Sequence, residues 1–250
     1  MPNMPEADSA IGIFDSGIGG LTVVQSVRKR LPGEDIYYFG DTARVPYGIK
    51  SDDAIRAYSE EITGFLVERN IKMLLIACNS VSAVAREAVI RTAGDIPVLD
   101  VITAGKRAAV SSRTKKIGVT GTLATISSGA YVRALKDGDG EIEIKSKACP
   151  MLVPLAEEGW TENQIAIDIL KTYLDDFLHN GIESLILGCT HYPLFKASIT
   201  KIFREHNRDI LLIDSGDAIA EMASGLLNER QLLNKNKKGT LTCYISDRPQ

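Results

Sequence analysis

Short apolar runs recur along the chain and end in small or polar residues. They are IGIF (11–14), DIYYFGD (35–41), the run over 72–77, a segment from Pro97 to 101, KIGVTG from 116, LILG (185–188) and ILLID (210–214). Each reads as a buried strand. Between them, apolar residues fall three and four apart, as in Ile55, Tyr58, Ile62, Phe65 and Leu66, or Ile169, Tyr173 and Leu170, Leu174, Phe177. That spacing predicts helices with one face in the core. They are expected from the DSGIGG turn to about 31, from a Ser51 cap, from 78 to about 92, over 104–111, after 122, over 194–206 and over 215–227. Thr161 with Gln164 predicts a capping box that opens a helix to about 179. EIEIKSK (141–147) alternates as a half-buried strand, 149–159 reads as an irregular crossing segment, and LTCYIS (241–246) as an edge strand. Strands alternating with helices predict an α/β fold with parallel sheets covered on both faces.

The pattern restarts midway. KIGVTGTLATISSGAY repeats the strand, small-residue turn and helix of IGIFDSGIGGLTVV, with Ile11 and Ile117 106 positions apart. Cys78 and Cys189 close two further strand runs and lie 111 positions apart. Two features at nearly one offset predict two related α/β halves, with a thiol on each side of one site.

With 250 residues, 44% hydrophobic and 24% charged, the chain can bury a substantial core. A formal net charge of −3 gives nucleic acid no basic footprint. No apolar run is long enough to span a bilayer, and the polar, acidic lead (1–10) has no signal-peptide core, so a cytoplasmic protein with reduced thiols is expected. Cys78, Cys149, Cys189 and Cys243 form no CxxC pair, and no metal-ligand spacing is present.

The chemistry is concentrated where strands end. LILGCTHYPL (185–194) presents Cys189, Thr190 and His191 together, and LLIACNSVSA (74–83) presents Cys78, Asn79 and Ser80. In open α/β sheets, strand ends are where ligands sit. A thiol has an ordinary pKa of about 8.5, so thiol and thiolate are both reachable near neutrality. Two such groups on opposite sides of an amino acid can remove the α-proton from one face and return it to the other. Both cysteines precede predicted helices, which favours a thiolate. His191 is placed to assist one thiol and Asp15 the other. Ser16, Tyr47, Gly48, Asn79, Ser80, Thr122, Thr125 and Thr190 offer hydroxyls and N–H groups for carboxylate and ammonium. Pro46 and Glu157 complete the candidate binding set. The glycines at 17, 19 and 20 do not make a dinucleotide fingerprint.

IGIFDSGIGGLTV, YFGDTARVPYG, ACNSVSA, GVTGTLAT, VPLAEEG and LGCTHYPL, in this order over roughly 11–227, resemble the glutamate racemases of the aspartate/glutamate racemase family. The resemblance implies a cofactor-independent, metal-free isomerase that supplies D-glutamate for bacterial peptidoglycan. It implies catalytic cysteines at Cys78 and Cys189, assisted by Asp15 and His191. Substrate would be held by Asp15, Ser16, Tyr47, Gly48, Asn79, Ser80, Thr190 and His191. The resemblance also implies two similar parallel-sheet α/β domains with the active site in the cleft between them, and the segment from about 210 packing back on the first, which divides the chain into 11–101 plus 210–250 and 102–209. Glutamate is the expected partner and a homodimer the expected assembly. One departure is ACNSVSA where the family usually has ACNTASA: Ser80 keeps the hydroxyl without a methyl, and Val81 adds bulk behind it.

Three other readings compete. An aspartate racemase would share the motifs. A non-catalytic amino-acid-binding module would use the cleft without the thiols. A hydrolase using Cys189 and His191 would leave the Cys78 loop unexplained.

Overall fold

The computed structural model describes residues 6–138, 140–235 and 238–248. The first sheet contains β1 (Ile11–Asp15), β2 (Ile36–Gly40), β3 (Met73–Ile76), β4 (Val98–Asp100) and β9 (Leu241–Ile245), in the order β4-β3-β1-β2-β9. The second contains β5 (Lys116–Gly121), β6 (Glu143–Ala148), β7 (Ser184–Gly188) and β8 (Leu211–Asp214), in the order β6-β5-β7-β8. Every pairing is parallel. Matching β1 with β5, β2 with β6, β3 with β7 and β4 with β8 makes the two orders identical. The repeat seen in the sequence is therefore a repeat of topology, with β9 added at one edge.

The helices are α1 (Leu21–Arg30), α2 (Asp52–Val67), α3 (Asn79–Val84), α4 (Arg86–Ala93), α5 (Val101–Ser111), α6 (Leu123–Ser127), α7 (Ala130–Gly138), α8 (Leu152–Glu157), α9 (Gln164–His179), α10 (Lys196–Glu205) and α11 (Ser215–Glu229). Ser51 caps α2 as expected, its side chain accepting from Ala54 N–H. Four details differ from the sequence reading. The helix after Cys78 breaks at Ala85 into α3 and α4. α5 starts at Val101 because Asp100 caps it through Thr103 N–H. The cap of α9 is Asn163, not Thr161. The segment expected to be irregular, 149–159, contains α8.

The expected boundary at 210 also shifts. That boundary places 211–214 with the first unit, yet Ser184 to Leu187 pair with Leu211 to Asp214, so β8 completes the second sheet. The return to the first half begins with α11. One face of the first sheet buries Ile11, Ile13, Ile36 and Leu75 against Val23 and Val27 of α1 and Ile219 and Ala223 of α11. The matching face of the second sheet buries Ile117, Val119 and Ile186 against Leu135 of α7 and Ile102 and Ala109 of α5. Thus α5 leaves the first sheet to lie on α7, α11 leaves the second to lie on α1, and α5 and α11 pack on each other. The helices that follow the last equivalent strands are exchanged between the halves. This holds the C-terminal ends of both sets of strands facing one another.

Behind the first sheet, Lys72 is fully buried at the start of β3. Its Nζ lies 2.5 Å from Glu34 Oε2 and donates to the carbonyls of Ala7 and Leu232 (2.9 Å for the latter). It ties the lead and the segment after α11 to the sheet.

Candidate active site

Cys78 follows β3 and is the N-cap residue of α3, and Cys189 follows β7 at the equivalent point of the other half. Both are buried and free, and both line one cleft. Ser16, Pro46, Tyr47, Gly48, Asn79, Ser80, Thr122, Thr190 and His191 line it with them. Val45 and Val153 also face it, and the sequence reading missed them because an isolated valine carries no chemical signal.

The two thiols have different surroundings. Burial, and then the Asp15 carboxylate, push the Cys78 thiol up to about 12; the Val81 N–H and the Ser16 hydroxyl oppose this. Cys189 instead has a cation beside it: His191 Nδ1 is 3.9 Å from its sulfur. Burial works against charge on His191, but its contacts with Cys189 and Glu157 outweigh burial and raise its pKa to about 10. Glu157 Oε1 lies 3.3 Å from His191 Nε2. That contact holds the Glu157 carboxyl below its ordinary range despite partial burial. Glu157 thus meets the site through His191 and does not line the cleft.

Asp15 is fully buried at the end of β1. Burial raises its pKa, and His191 together with the N–H groups of Gly20 and Gly17 opposes the rise. Its Oδ2 accepts from Gly17 N (3.2 Å) and Gly20 N (3.0 Å), and its Oδ1 from Thr190 Oγ1 at 3.4 Å, across the cleft. Thr22 Oγ1, another residue the sequence did not single out, donates across the cleft to Thr190 O at 2.9 Å.

The halves approach closely here. A Cβ on Gly19 would lie 2.5 Å from His191 Cε1, and one on Gly48 would lie 2.7 Å from Thr122 Cβ. Only the missing side chain lets the walls meet. Ser80 Oγ and Thr122 Oγ1 are 3.0 Å apart across the same cleft. Thr122 donates to Thr125 Oγ1 at 3.0 Å and caps α6 through Thr125 N–H, so Thr125 stands behind Thr122 and does not line the cleft. Tyr47 lines the cleft, but its hydroxyl is committed to Asp41, which Arg44 Nε also contacts at 2.7 Å. Asn79 Oδ1 accepts from Tyr131 OH at 2.7 Å, while its buried Nδ2 has no partner among the described residues. Nothing in the sequence around Tyr131 signals this contact. Among the described residues there is no group of three or more His, Cys, Asp or Glu side chains able to hold a metal ion, and no helix long and apolar enough to cross a membrane.

Known proteins resemble this chain over nearly its whole length. The family model for Asp/Glu/hydantoin racemases matches residues 21–223. A glutamate racemase of Geobacter metallireducens is 48% identical over 96% of this chain and 88% of its own. The crystal structure of the Francisella tularensis glutamate racemase in complex with D-glutamate superposes with a TM-score of 0.91 at 42% identity, covering 97% of this chain and 90% of that one. An aspartate racemase of Picrophilus torridus, at 17% identity and a TM-score of 0.66 over 91% of this chain and 99% of its own, shares the fold alone. The chain is an isomerase that belongs to the Asp/Glu/hydantoin racemase family.

Proposed function

We propose that this chain interconverts L- and D-glutamate by proton transfer between Cys78 and Cys189. The observation that carries the reading is the pair of buried thiols, delivered by equivalent strand ends of two like sheets into one cleft. As thiolate, one sulfur takes the α-proton and leaves the bonding electrons on the carbon. As thiol, the other gives its proton to the opposite face. One C–H bond breaks, one forms, and the two sulfurs exchange protonation states. The two sulfurs are not alike: burial and a carboxylate beside Cys78 keep that sulfur protonated, and the His191 ring stands 3.9 Å from the Cys189 sulfur. In this reading Asp15, whose carboxyl burial raises toward protonation, takes and returns the Cys78 proton when the roles reverse. The carbanion forms in a buried slot where N–H and hydroxyl donors act with little competition from water.

Glutamate, in preference to aspartate, is supported by relatives named glutamate racemases at 42–48% identity. The same reading makes the protein a cytoplasmic homodimer that supplies D-glutamate for peptidoglycan. Depletion in the source cell should then create a requirement for D-glutamate, and sedimentation should give twice the mass of one chain. The deciding experiment incubates L-glutamate with the reduced protein in deuterated water without added cofactor. Circular dichroism should decay to zero while deuterium enters at the α-carbon. No exchange from either enantiomer, by folded protein with free thiols, overturns the proposal.

A further inference from the structure

Tyr131 stands where the two halves meet. Its ring passes between α5 and the end of β7 in a slot that two glycines leave open. A Cβ on Gly105 would lie 3.3 Å from both Cε1 and the hydroxyl oxygen of Tyr131, and a Cβ on Gly188 would meet the backbone oxygen of Thr120 first and then Cε2 of Tyr131 at 3.1 Å. Gly188 directly precedes Cys189, and the hydroxyl at the far end of the ring reaches Asn79, which directly follows Cys78. One side chain therefore runs from the strand that carries one thiol to the loop that carries the other.

The hydrogen bond it makes there has a direction. An amide side chain has one acceptor oxygen and one NH2 with two donors. Tyr131 gives its proton to Asn79 Oδ1 at 2.7 Å, and the Ser215 hydroxyl faces the phenol oxygen. The oxygen of the amide is thereby spent on the protein. What remains is Nδ2, on a residue 2% exposed that lines the cleft, with no partner among the described residues. A buried donor without an acceptor is costly, and one kept in a cleft calls for a partner.

We propose that Tyr131 is a positioning residue for the substrate: it fixes the Asn79 amide so that Nδ2 is presented to the cleft and takes a carboxylate oxygen of the bound amino acid. The proposal rests on the glutamate reading above. Without the phenol proton the amide is free to turn over and present an acceptor, which repels a carboxylate. The contact serves binding equally in both directions, because the carboxylate stays in place while the α-proton changes side.

Tyr131→Phe tests this, since it keeps the ring and removes the donor. The KM for L- and D-glutamate should rise together about tenfold, with kcat within about threefold of the parent. A merely structural role would lower kcat and thermal stability and leave KM near its parent value. Asn79→Ala should raise KM at least as much, and Tyr131→Phe added to Asn79→Ala should add nothing, because one residue acts through the other. Additive losses, or an unchanged KM in Tyr131→Phe, overturn the proposal. Should Tyr131→Phe fail to fold, 3-fluorotyrosine placed at position 131 keeps both ring and hydroxyl. Its fluorine resonance should shift on addition of glutamate, and that shift should vanish with Asn79→Ala. A resonance that ignores glutamate overturns the proposal. A parent that fails to racemise glutamate overturns the underlying reading instead, which separates the two failures.

Discussion

Gly19→Ala isolates the closeness of the two halves from every other property of the site. Gly19 is not in the left-handed backbone region, so alanine is conformationally free to occupy the position. The three heavy atoms nearest the added methyl group all belong to the opposite wall: His191 Cε1 at 2.5 Å, His191 Nδ1 at 2.6 Å and Thr190 Oγ1 at 2.6 Å. Non-bonded heavy atoms separate to about 3.5 Å, so this edge of the cleft must open by roughly 1 Å. His191 would move with it, away from its present place beside Cys189. A displacement of that size at a reacting group costs about 10²-fold in rate, and forced overpacking costs about 1–3 kcal/mol. The assay is the initial rate of racemisation of each enantiomer by circular dichroism, together with the melting temperature. Both directions should fall by about the same factor, because the injury is to closure and not to one thiol. Gly64→Ala is the control: nothing lies within 4 Å of a Cβ there, and activity should be that of the parent. A Gly19→Ala enzyme within threefold of the parent rate in both directions would refute the reasoning.

Other outcomes follow from the same geometry. Cys78→Ser and Cys189→Ser should each lower kcat about 10²–10⁴-fold, but should differ in which enantiomer still exchanges its α-proton with solvent; identical exchange patterns would contradict one thiol per face. The pKa of His191 lies near 10, above its ordinary 6.5, so the stability it contributes is complete below pH 6.5 and is lost as pH rises toward 10. His191→Asn should therefore lose its stability deficit relative to the parent across that window in guanidinium unfolding, and a deficit that stays constant with pH would contradict the shift. Lys72→Met strands Glu34 without its buried partner and should cost about 3–5 kcal/mol, whereas Lys72→Met with Glu34→Leu should recover much of it. A double variant no more stable than the single one would show that the pair is not the cause.

The strands were legible because parallel strands buried on both faces read as unbroken apolar runs, as MLLI of β3 and SLILG of β7 do. The two cysteine loops were legible for the related reason that a short polar triplet directly after such a run has to sit at a strand end. Caps were harder. Asp100 and Asn163 outcompeted the start expected at 104 and the Thr161 capping box, and only backbone geometry decides between neighbouring candidates. The assignment of 211–214 failed because ILLID is a good strand for either sheet, and pairing with β7 is a long-range choice. Tyr47 and Thr125 carried the right chemistry, but Asp41 and Thr122 already claim it. The contacts of Tyr131 with Asn79 and of Gly19 with His191 join residues far apart in the chain, where sequence spacing has no say.

The exchange of α5 and α11 has a consequence for the origin of this architecture. Two identical ancestral chains, each with four strands in the common order and one thiol, would reproduce it by trading their last helices as a domain-swapped dimer with a single shared site on its two-fold axis. Within one chain the two sulfurs are free to differ, and one sits beside a carboxylate and the other beside an imidazolium. The chain would thus be a symmetric dimer made permanent, and the asymmetry of its two thiols is what a symmetric ancestor could not have had.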